Sequence, residues 1–429
     1  DAIYYLSFCK SYFNPVDRQN IGLKHDFFIC QGEFFKNNEE YKVYCAVKKN
    51  IKKVFRINKK DYEKLSDHIG EFPLVIIAPY DTNSILEGSD IRRKFLDGIR
   101  AQYDKKYLHT LIQYNKVLLQ RNALLKYFSK ERTYNHDQLM VWDQQLIPLG
   151  EELYKKRKEL VLNLQDVFQK KYNYISGGKE PVRLVYNSSL HQNTFTDLLQ
   201  SNIKQDIQRQ FTSFGVHKDD LDLYINDFPV KKFASQGQQK SYLIALKLAQ
   251  LEFLKLTVGV NPILLLDDLS HLKVLDKAWF ISLCLRHRHV AGGVSLSILM
   301  LVQSLRGGVA RVIRQNCSLI ILYSTHDQTA KEDLYAECSH LLDKDEFMAL
   351  FEHATDQRHD FMSVDLSQDN KNKVFSRCFE HWYEIDNHVS SALLQDYRLP
   401  DPTLPHVPLH TRSASPRRKN TRKRKAASK

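Results

Sequence analysis

Apolar residues follow two different spacings along the chain, and the change of spacing divides it. Positions 1–95 contain short apolar runs between charged residues, at 27–29, 43–47, 54–57 and 74–78, and such runs predict strands. Positions 91–172 instead show helical spacing with charged faces, interrupted near Asn135 and Pro148. A strand pattern returns at 182–186. This order predicts an α/β protein in which a mainly helical segment separates two parts of one sheet-containing domain.

A polar turn, a helix and a buried strand follow one another in the second half of the chain. The turn is Ser235-Gln236-Gly237-Gln238, and leucine and isoleucine keep helical spacing from 243 to 254. Four aliphatic residues at 263–266 are typical of a buried parallel strand. Asp267 and Asp268 stand at the carboxyl end of that strand, where α/β sheets bind ligands.

Both motifs suit a nucleotide, although each also has a simpler explanation. A helix N-terminus presents free N–H groups to phosphate, and a carboxylate after a buried strand suits Mg²⁺. Ser235 followed by Gln238 is also the pattern of a capping box, and two aspartates can be a polar strand end. The order and spacing of the two motifs together favour one half of a nucleotide site.

The two motifs resemble the signature and Walker B motifs of ABC-type ATPases, and Ser-Gln-Gly-Gln-Gln at 235–239 resembles the RecF family in particular. Further segments similar to that family occur in the same order within residues 1–268, at 92–97, 113–115, 120–126, 141–143, 175–178 and 215–221. In the last of these, Val216 takes the place of the family's usual proline. The chain is thus identified as a RecF-like sequence.

The resemblance implies an α/β fold: an ABC-type ATPase head with a mixed or parallel sheet and an inserted, mainly helical arm. On this basis the head comprises 1–95 and 179–335, and the arm comprises 96–178. Residues 277–317 resemble no part of the family, and 336–398 receive no assignment. Residues 399–429 are predicted to be a disordered basic tail because they combine several prolines with many cations.

The resemblance also implies a mechanism in which two heads enclose ATP. The 235–238 segment would contact the γ-phosphate of the nucleotide held by a second copy of the chain. Asp267 would hold Mg²⁺, and Asp268 would orient the attacking water during slow hydrolysis. The implied function is an ATP-dependent homodimer that clamps DNA where single-stranded and duplex DNA meet at gaps. Its implied partners are RecO- and RecR-type proteins that help to load recombinase there.

A γ-phosphate sensor is expected at the end of a strand that follows Walker B. The run 319–326 has that form and ends in His326, which is the candidate sensor. This run lies further from Asp268 than in the family pattern, and Leu275-Asp276, the counterpart of the D-loop, also comes late. A shifted reading frame would explain the unfamiliar stretch that lies between the paired aspartates and the run 319–326. Its histidines and cysteines lack zinc-site spacing, so no metal site is predicted there.

No Gly-x-x-x-x-Gly-Lys-Ser/Thr pattern, which wraps nucleotide phosphates, occurs in these residues. In the RecF family a segment like residues 1–7 follows shortly after that P-loop. The resemblance therefore implies a first strand and Walker A motif ahead of the printed chain. The alternative is a non-catalytic scaffold that binds DNA or partner proteins, or an inactive remnant.

Charge and cysteine content narrow the class of protein. The net charge is +13, but nine Lys/Arg and no acid lie within 412–429, so most of the excess belongs to a tail that would bind phosphate without sequence preference or imitate a nuclear signal. The seven cysteines form no CxxC pair, which favours reduced thiols in the cytoplasm. No apolar stretch is long enough to span a bilayer, so no membrane partner is predicted.

Basic clusters within the predicted head and arm are candidate DNA contacts. The first is interleaved with apolar residues and predicts a hairpin with one positive face. Phosphate contacts require Lys and Arg rather than base-specific groups, although charge runs are also common on solvated surfaces. The candidates are Lys48, Lys49, Lys52, Lys53, Arg56, Arg92, Arg93, Lys155, Lys156 and Arg157.

Overall fold

The structure is a computed structural model. It describes residues 1–79, 81, 88–178, 180–268, 277–286, 297–302, 309–368, 373–379 and 381–383, and the backbone of 396–398. The chain divides into two compact units, Asp1–Asn316 and Cys317–Lys429. Within the described residues, no helix is long and apolar enough to cross a bilayer.

The first unit opens with an antiparallel sheet beside a short helix. The helix is α1 (Ala2–Phe8), and the four strands, in spatial order, are β1 (Phe27–Lys36), β2 (Glu39–Lys48), β3 (Val54–Ile57) and β4 (Lys60–Asp61). Alternate residues of β2, namely Val43, Cys45 and Val47, are buried against α1. Pairing of β2 with β3 confirms the hairpin predicted from the basic cluster.

A parallel strand, five helices and a second small sheet follow. These elements are β5 (Leu74–Ile77), α2 (Ser89–Arg100), α3 (Lys105–Glu131), α4 (His136–Ser176), β6 (Val182–Asn187), α5 (Phe195–Ser201), α6 (Ile203–Arg209), β7 (Asp220–Ile225) and β8 (Phe228–Pro229). Strands β6, β7 and β8 form an antiparallel sheet in that order. Helices α2, α3 and α4 thus lie between β5 and β6 along the chain. The sequence predicted such an insertion of helices between two parts of the head.

The rest of the first unit completes the parallel sheet. It contains α7 (Val230–Phe233), α8 (Gln236–Val258), β9 (Ile263–Asp267), α9 (Ala278–Arg286), β10 (Ile298–Leu301) and α10 (Arg311–Arg314). The central strand β9 lies between β10 and β5, and both neighbours run parallel to it. Its residues Leu264, Leu265 and Leu266 are buried, as expected of a strand covered on both faces.

The long helix α4 gives the arm its length. Asn135 caps it by accepting a hydrogen bond from the N–H of Gln138 at 3.1 Å, and Gly177 ends it with a φ of 80°. The predicted interruption near Asn135 is confirmed, but the one at Pro148 is wrong because α4 continues through that residue. Leu146 and Leu153, on either side of the proline, are fully buried in one core, so packing holds the helix together where a hydrogen bond is lost.

Two buried arginines tie the arm together. The side chain of Arg121 is fully buried and pairs with Asp143 at 2.6 Å and Asp206 at 2.8 Å. Arg157 is 2% exposed and donates hydrogen bonds to Asp97, with Nε to Oδ1 and Nη2 to Oδ2 both at 2.9 Å. Buried charges persist only when they are paired. Several of the RecF-like segments therefore meet inside the arm as ion pairs.

The second unit has its own antiparallel sheet and core. Its elements are β11 (Leu319–Tyr323), α11 (Gln328–Cys338), α12 (Lys344–Ala354), β12 (Phe361–Asp365), β13 (Phe375–Arg377), β14 (His381–Tyr383) and β15 (Asp396–Arg398). The strand predicted before His326 is present as β11, but it pairs antiparallel with β12 rather than joining the parallel sheet. The domain boundary expected after residue 335 falls within α11.

Candidate functional site

The turn that opens α8 forms a complete capping box. The Oγ of Ser235 accepts the N–H of Gln238 at 3.2 Å, and Oε1 of Gln238 accepts the N–H of Ser235 at 2.8 Å. This reciprocal pair satisfies two of the groups that a helix start leaves open. The capping interpretation of the motif is therefore confirmed, and its contact with nucleotide stays a prediction.

Gly237 has no packing reason to be a glycine. A Cβ built there would meet only the Oγ of Ser235, at 4.0 Å, and an alanine favours a helix by up to about 1 kcal/mol over glycine. Ser235, Gln236 and Gly237 are all exposed. Since the fold does not require glycine at this position, the surface is suited to close approach by something outside the subunit.

A carboxylate from the end of the arm holds the same turn. Nε2 of Gln238 donates to Oε1 of Glu180 at 2.7 Å, and the hydroxyl of Tyr172 in α4 donates to Oε2 of Glu180 at 2.8 Å. Burial and the hydrogen bond to Glu180 raise the pKa of Tyr172 above its ordinary value. This link was not predicted from the sequence, because 58 positions separate Glu180 from Gln238.

The paired aspartates lie where β9 ends. Asp267 is the last residue of the strand and faces Leu301 of β10 across the sheet. Asp268 adopts a φ of 41°, and its N–H donates to the carbonyl of Leu301 at 3.0 Å. A positive φ is uncommon outside glycine, although aspartate adopts it more readily than most residues, and such residues cluster at functional sites. Both side chains are partly exposed.

A third carboxylate lies at the same end of the sheet. Asp81 follows β5, and the pairing of Ile77 with Leu266 brings the carboxyl ends of β5 and β9 together. Oδ2 of Asp81 accepts the N–H of Ala78 at 2.9 Å, and Oδ1 pairs with Nζ of Lys247 at 3.2 Å. Lys247 belongs to α8, so the helix capped by Ser235 is also attached to the sheet edge.

The pKa of Tyr12 is affected by the carboxylates at this edge of the sheet. Its hydroxyl donates to Asp81. Its pKa is raised above the ordinary value first by burial, then by the charge of Asp81, and further by that of Asp267. Asp81, Lys247 and Tyr12 were not predicted from the sequence as site residues. An acidic residue soon after the apolar run 74–78 was the available signal for Asp81, since parallel strands bring their carboxyl ends to one edge.

The proposed sensor and the D-loop counterpart are placed differently. His326 belongs to the second unit and is exposed just before α11. Asp327, its neighbour, caps that helix by accepting the N–H of Thr329 at 2.9 Å. Leu275 and Asp276 lie outside the described residues. The sensor role of His326 stays a prediction.

The hairpin cluster of candidate DNA contacts contains both exposed and internally bound cations. Nζ of Lys53 lies 2.7 Å from Asp17, and Nε of Arg56 lies 2.5 Å from Asp61. Lys49 pairs with Asp26 at 3.1 Å. Lys48 and Lys52 are exposed. Fewer cations of this hairpin are therefore open to DNA than its lysine count suggests.

The candidates at 92–93 and 155–157 divide in the same way. Arg92 forms a two-pronged contact with Asp220, Nε to Oδ1 at 2.7 Å and Nη2 to Oδ2 at 2.8 Å, and Arg93 donates to the carbonyl of Asp219 at 2.6 Å. The buried Arg157 also donates to the carbonyl of Val216 at 2.6 Å, and Lys156 pairs with Asp104 at 3.2 Å. Lys155 is exposed. Of the ten candidates, Lys48, Lys52 and Lys155 best suit contact with phosphate.

The fold and the two strand ends define an ABC-type ATPase head with an inserted helical arm. A scan against models of protein families gives no match. Among curated proteins, the chain is 51% identical over 269 residues to the DNA replication and repair protein RecF of Flavobacterium johnsoniae, covering 63% of this chain and 75% of that protein. It is 48% identical over 272 residues to RecF of Phocaeicola vulgatus, covering 63% and 72%.

Solved structures agree with this assignment. The recombination mediator protein RecF-ATP of the RecFOR pathway matches with a TM-score of 0.65 and 28% identity, over 71% of this chain and 82% of that one. A second RecF structure from that pathway, RecF-ATPrS, gives a TM-score of 0.62 and 27% identity over 72% and 83%. The chain belongs to the RecF family of DNA replication and repair proteins, which confirms the prediction from sequence.

Proposed function

We propose that this chain forms one head of an ATP-dependent clamp that closes on DNA at gaps, where single-stranded and duplex DNA meet. Membership of the RecF family supports the repair role, and the structures of relatives with ATP support the nucleotide. The observation that carries the proposal is a single helix, α8, with an open glycine-containing start and a lysine attached to the carboxylate edge of the sheet.

The donor groups at the sheet edge fit a magnesium nucleotide. Among the described residues, no group of three or more His, Cys, Asp or Glu side chains is arranged to hold a metal. Mg²⁺ does not need such a cage, because it binds through one or two carboxylates together with phosphates and water. Asp267 would be the ligand, and the bound ion would neutralise phosphate charge. Asp268 would hold a water molecule by accepting its hydrogen bond.

The signature turn would act on a nucleotide held by the opposite head. Its exposed N–H groups and the hydroxyl of Ser235 would donate to the γ-phosphate, which a helix N-terminus favours. Gly237 would allow the phosphate to approach the backbone. Closure of two heads would then depend on ATP, with the clamp opening after slow hydrolysis. RecO- and RecR-type proteins would act on the closed form to load recombinase.

A fusion that supplies a P-loop segment ahead of residue 1 allows the test. Ser235→Arg should abolish ATP-driven dimerisation in sedimentation experiments and leave nucleotide binding by the monomer nearly unchanged, because the signature acts on the partner's nucleotide. Thr194→Arg is the matched control, since Thr194 is an exposed N-cap of α5 whose Oγ accepts the N–H of Asp197 at 3.1 Å.

Each of these substitutions should cost about 1 kcal/mol through loss of a cap, so thermal melts will show similar destabilisation. Only the Ser235 variant should fail to dimerise. A folded Ser235→Arg protein that still dimerises with ATP would remove Ser235 from the nucleotide interface. If both variants lose dimerisation equally, helix capping alone explains the motif.

A further inference from the structure

The outer end of the arm, where α3 gives way to α4, carries aromatic rings in solvent. Tyr127 is 54% exposed and Tyr134 is 48% exposed. Both rings contact the buried ring of Phe128, with centroid distances of 6.2 Å and 5.8 Å. The hydroxyl of Tyr134 lies 3.1 Å from Nδ1 of His136. The two tyrosines are therefore supported from beneath while much of their surface faces water.

Two cations stand between these tyrosines in the sequence. Lys130 and Arg132 are exposed, and Arg132 occupies the left-handed C-cap of α3 with a φ of 52°. Helix C-caps of this kind usually carry glycine or asparagine, so helix termination alone does not account for arginine there. The acid beside them, Glu131, lies 3.8 Å from Nζ of Lys130, which is a loose surface pair.

The tyrosines and cations belong to the end of α3 and the turn that leads into α4. Both tyrosine rings contact Phe128, which places them at the same end of the arm. We name as the arm-tip patch Tyr127, Lys130, Arg132 and Tyr134.

We propose that the arm-tip patch binds single-stranded DNA, with bases stacked on its aromatic rings and phosphates paired with its cations. This inference rests on the proposed function and assigns the single-stranded side of a gap to the end of the arm. Exposed rings interleaved with Lys and Arg are the combination that binds single strands without reading their sequence. A duplex keeps its base faces stacked inside, so the rings would have no comparable partner there.

The test compares DNA binding by the full chain and its variants, measured by fluorescence anisotropy with a short oligo(dT) strand and with a blunt duplex. Tyr127→Ala combined with Tyr134→Ala should weaken binding to oligo(dT) by about tenfold or more, and should leave binding to the duplex nearly unchanged. Tyr127→Phe combined with Tyr134→Phe keeps both rings and should retain the affinity for oligo(dT).

Phe35→Ala is the matched control, because Phe35 is 77% exposed on β1, outside the patch, and it should change neither affinity. Equal losses of affinity for the single strand and the duplex would overturn the assignment of stacking. Unchanged oligo(dT) binding by the double alanine variant would also overturn the proposal, and this is the result expected if the patch binds a protein instead. Failure of the unsubstituted chain to bind any DNA would instead contradict the proposed function itself.

Discussion

The charged centre of the arm and the turn that opens α8 are both polar, but they differ in what satisfies their polar groups. Arg121 is fully buried, and two carboxylates and the hydroxyl of Thr212 surround its guanidinium. Ser235 and Gln238 satisfy each other at the surface, and nothing packs closely on Gly237. Segments that resemble one family can therefore serve the fold in one place and leave a surface open in another.

The largest expected effect comes from breaking the charged centre. Arg121→Ala leaves Asp206, whose side chain is 1% exposed, without its partner. Removing one member of a buried ion pair costs about 3–5 kcal/mol, and denaturant unfolding should show a loss of that size. Lys42→Ala is the surface control, because Lys42 and Glu33 are both exposed in their 2.9 Å pair, and it should cost less than about 1 kcal/mol. Similar losses for both would contradict the contrast.

The residues that pack around Arg121 should also make the fold sensitive to acid. His217 donates from Nε2 to the carbonyl of Thr212 at 2.9 Å and accepts the hydroxyl of Tyr114 at Nδ1 at 2.7 Å. Burial lowers the pKa of His217 to about 4. A folded-state pKa below the unfolded value of about 6.5 means that stability is complete above about pH 6.5 and falls as the pH drops toward 4.

The loss at the low end should be about 3 kcal/mol from this residue. Unfolding free energies measured between about pH 7 and 4 should show it. His217→Gln, which cannot gain the charge, should have a shallower pH dependence over the same range. An unchanged slope in that variant would show that other groups govern acid unfolding.

The smallest expected effect is at the signature turn and has the opposite sign. Gly237→Ala adds a methyl group into open space in the first turn of α8, so it should stabilise the fold by about 0.5 kcal/mol. In the P-loop fusion it should nevertheless weaken ATP-driven dimerisation, because under the proposed function the added methyl would meet the phosphate of the nucleotide held by the opposite head. Thermal melts and sedimentation measure the two effects. Unchanged dimerisation would mean that Gly237 has no role at the interface.

The local sequence pattern was sufficient to predict these strands and the helix cap. It was not sufficient to predict which distant segments pair with each other. The runs at 263–266 and 319–323 gave β9 and β11, but only the structure separates them into a parallel and an antiparallel sheet. Ser235 with Gln238 predicted its own capping box because both partners lie within one turn. Asp81 and Lys247 come from distant segments, so no local pattern marked their pairing.

Charge runs misled for a related reason. The run 155–158 appears uniform in sequence, yet helical geometry turns its members to different sides of α4. Arg157 is buried against Asp97, whereas Lys155 remains in solvent. Hydrophobic spacing located the helix correctly, but a charged residue can face the core only when a partner from elsewhere meets it. Recognising Arg157 as a structural residue required knowledge of Asp97.

Because α4 is one uninterrupted helix, a small rotation at one end of the arm displaces the other end by a larger distance. Its 41 residues span about 60 Å at the usual rise of an α-helix. Near the C-terminal end of α4, Tyr172 donates a hydrogen bond to Glu180, and Glu180 also accepts one from Gln238 in the turn that opens α8. A tilt of about 5° at that end would carry the far end through about 5 Å, given the helical rise. Small adjustments at the turn that opens α8 are therefore magnified at the far end of the arm, and a load applied there exerts torque on the turn.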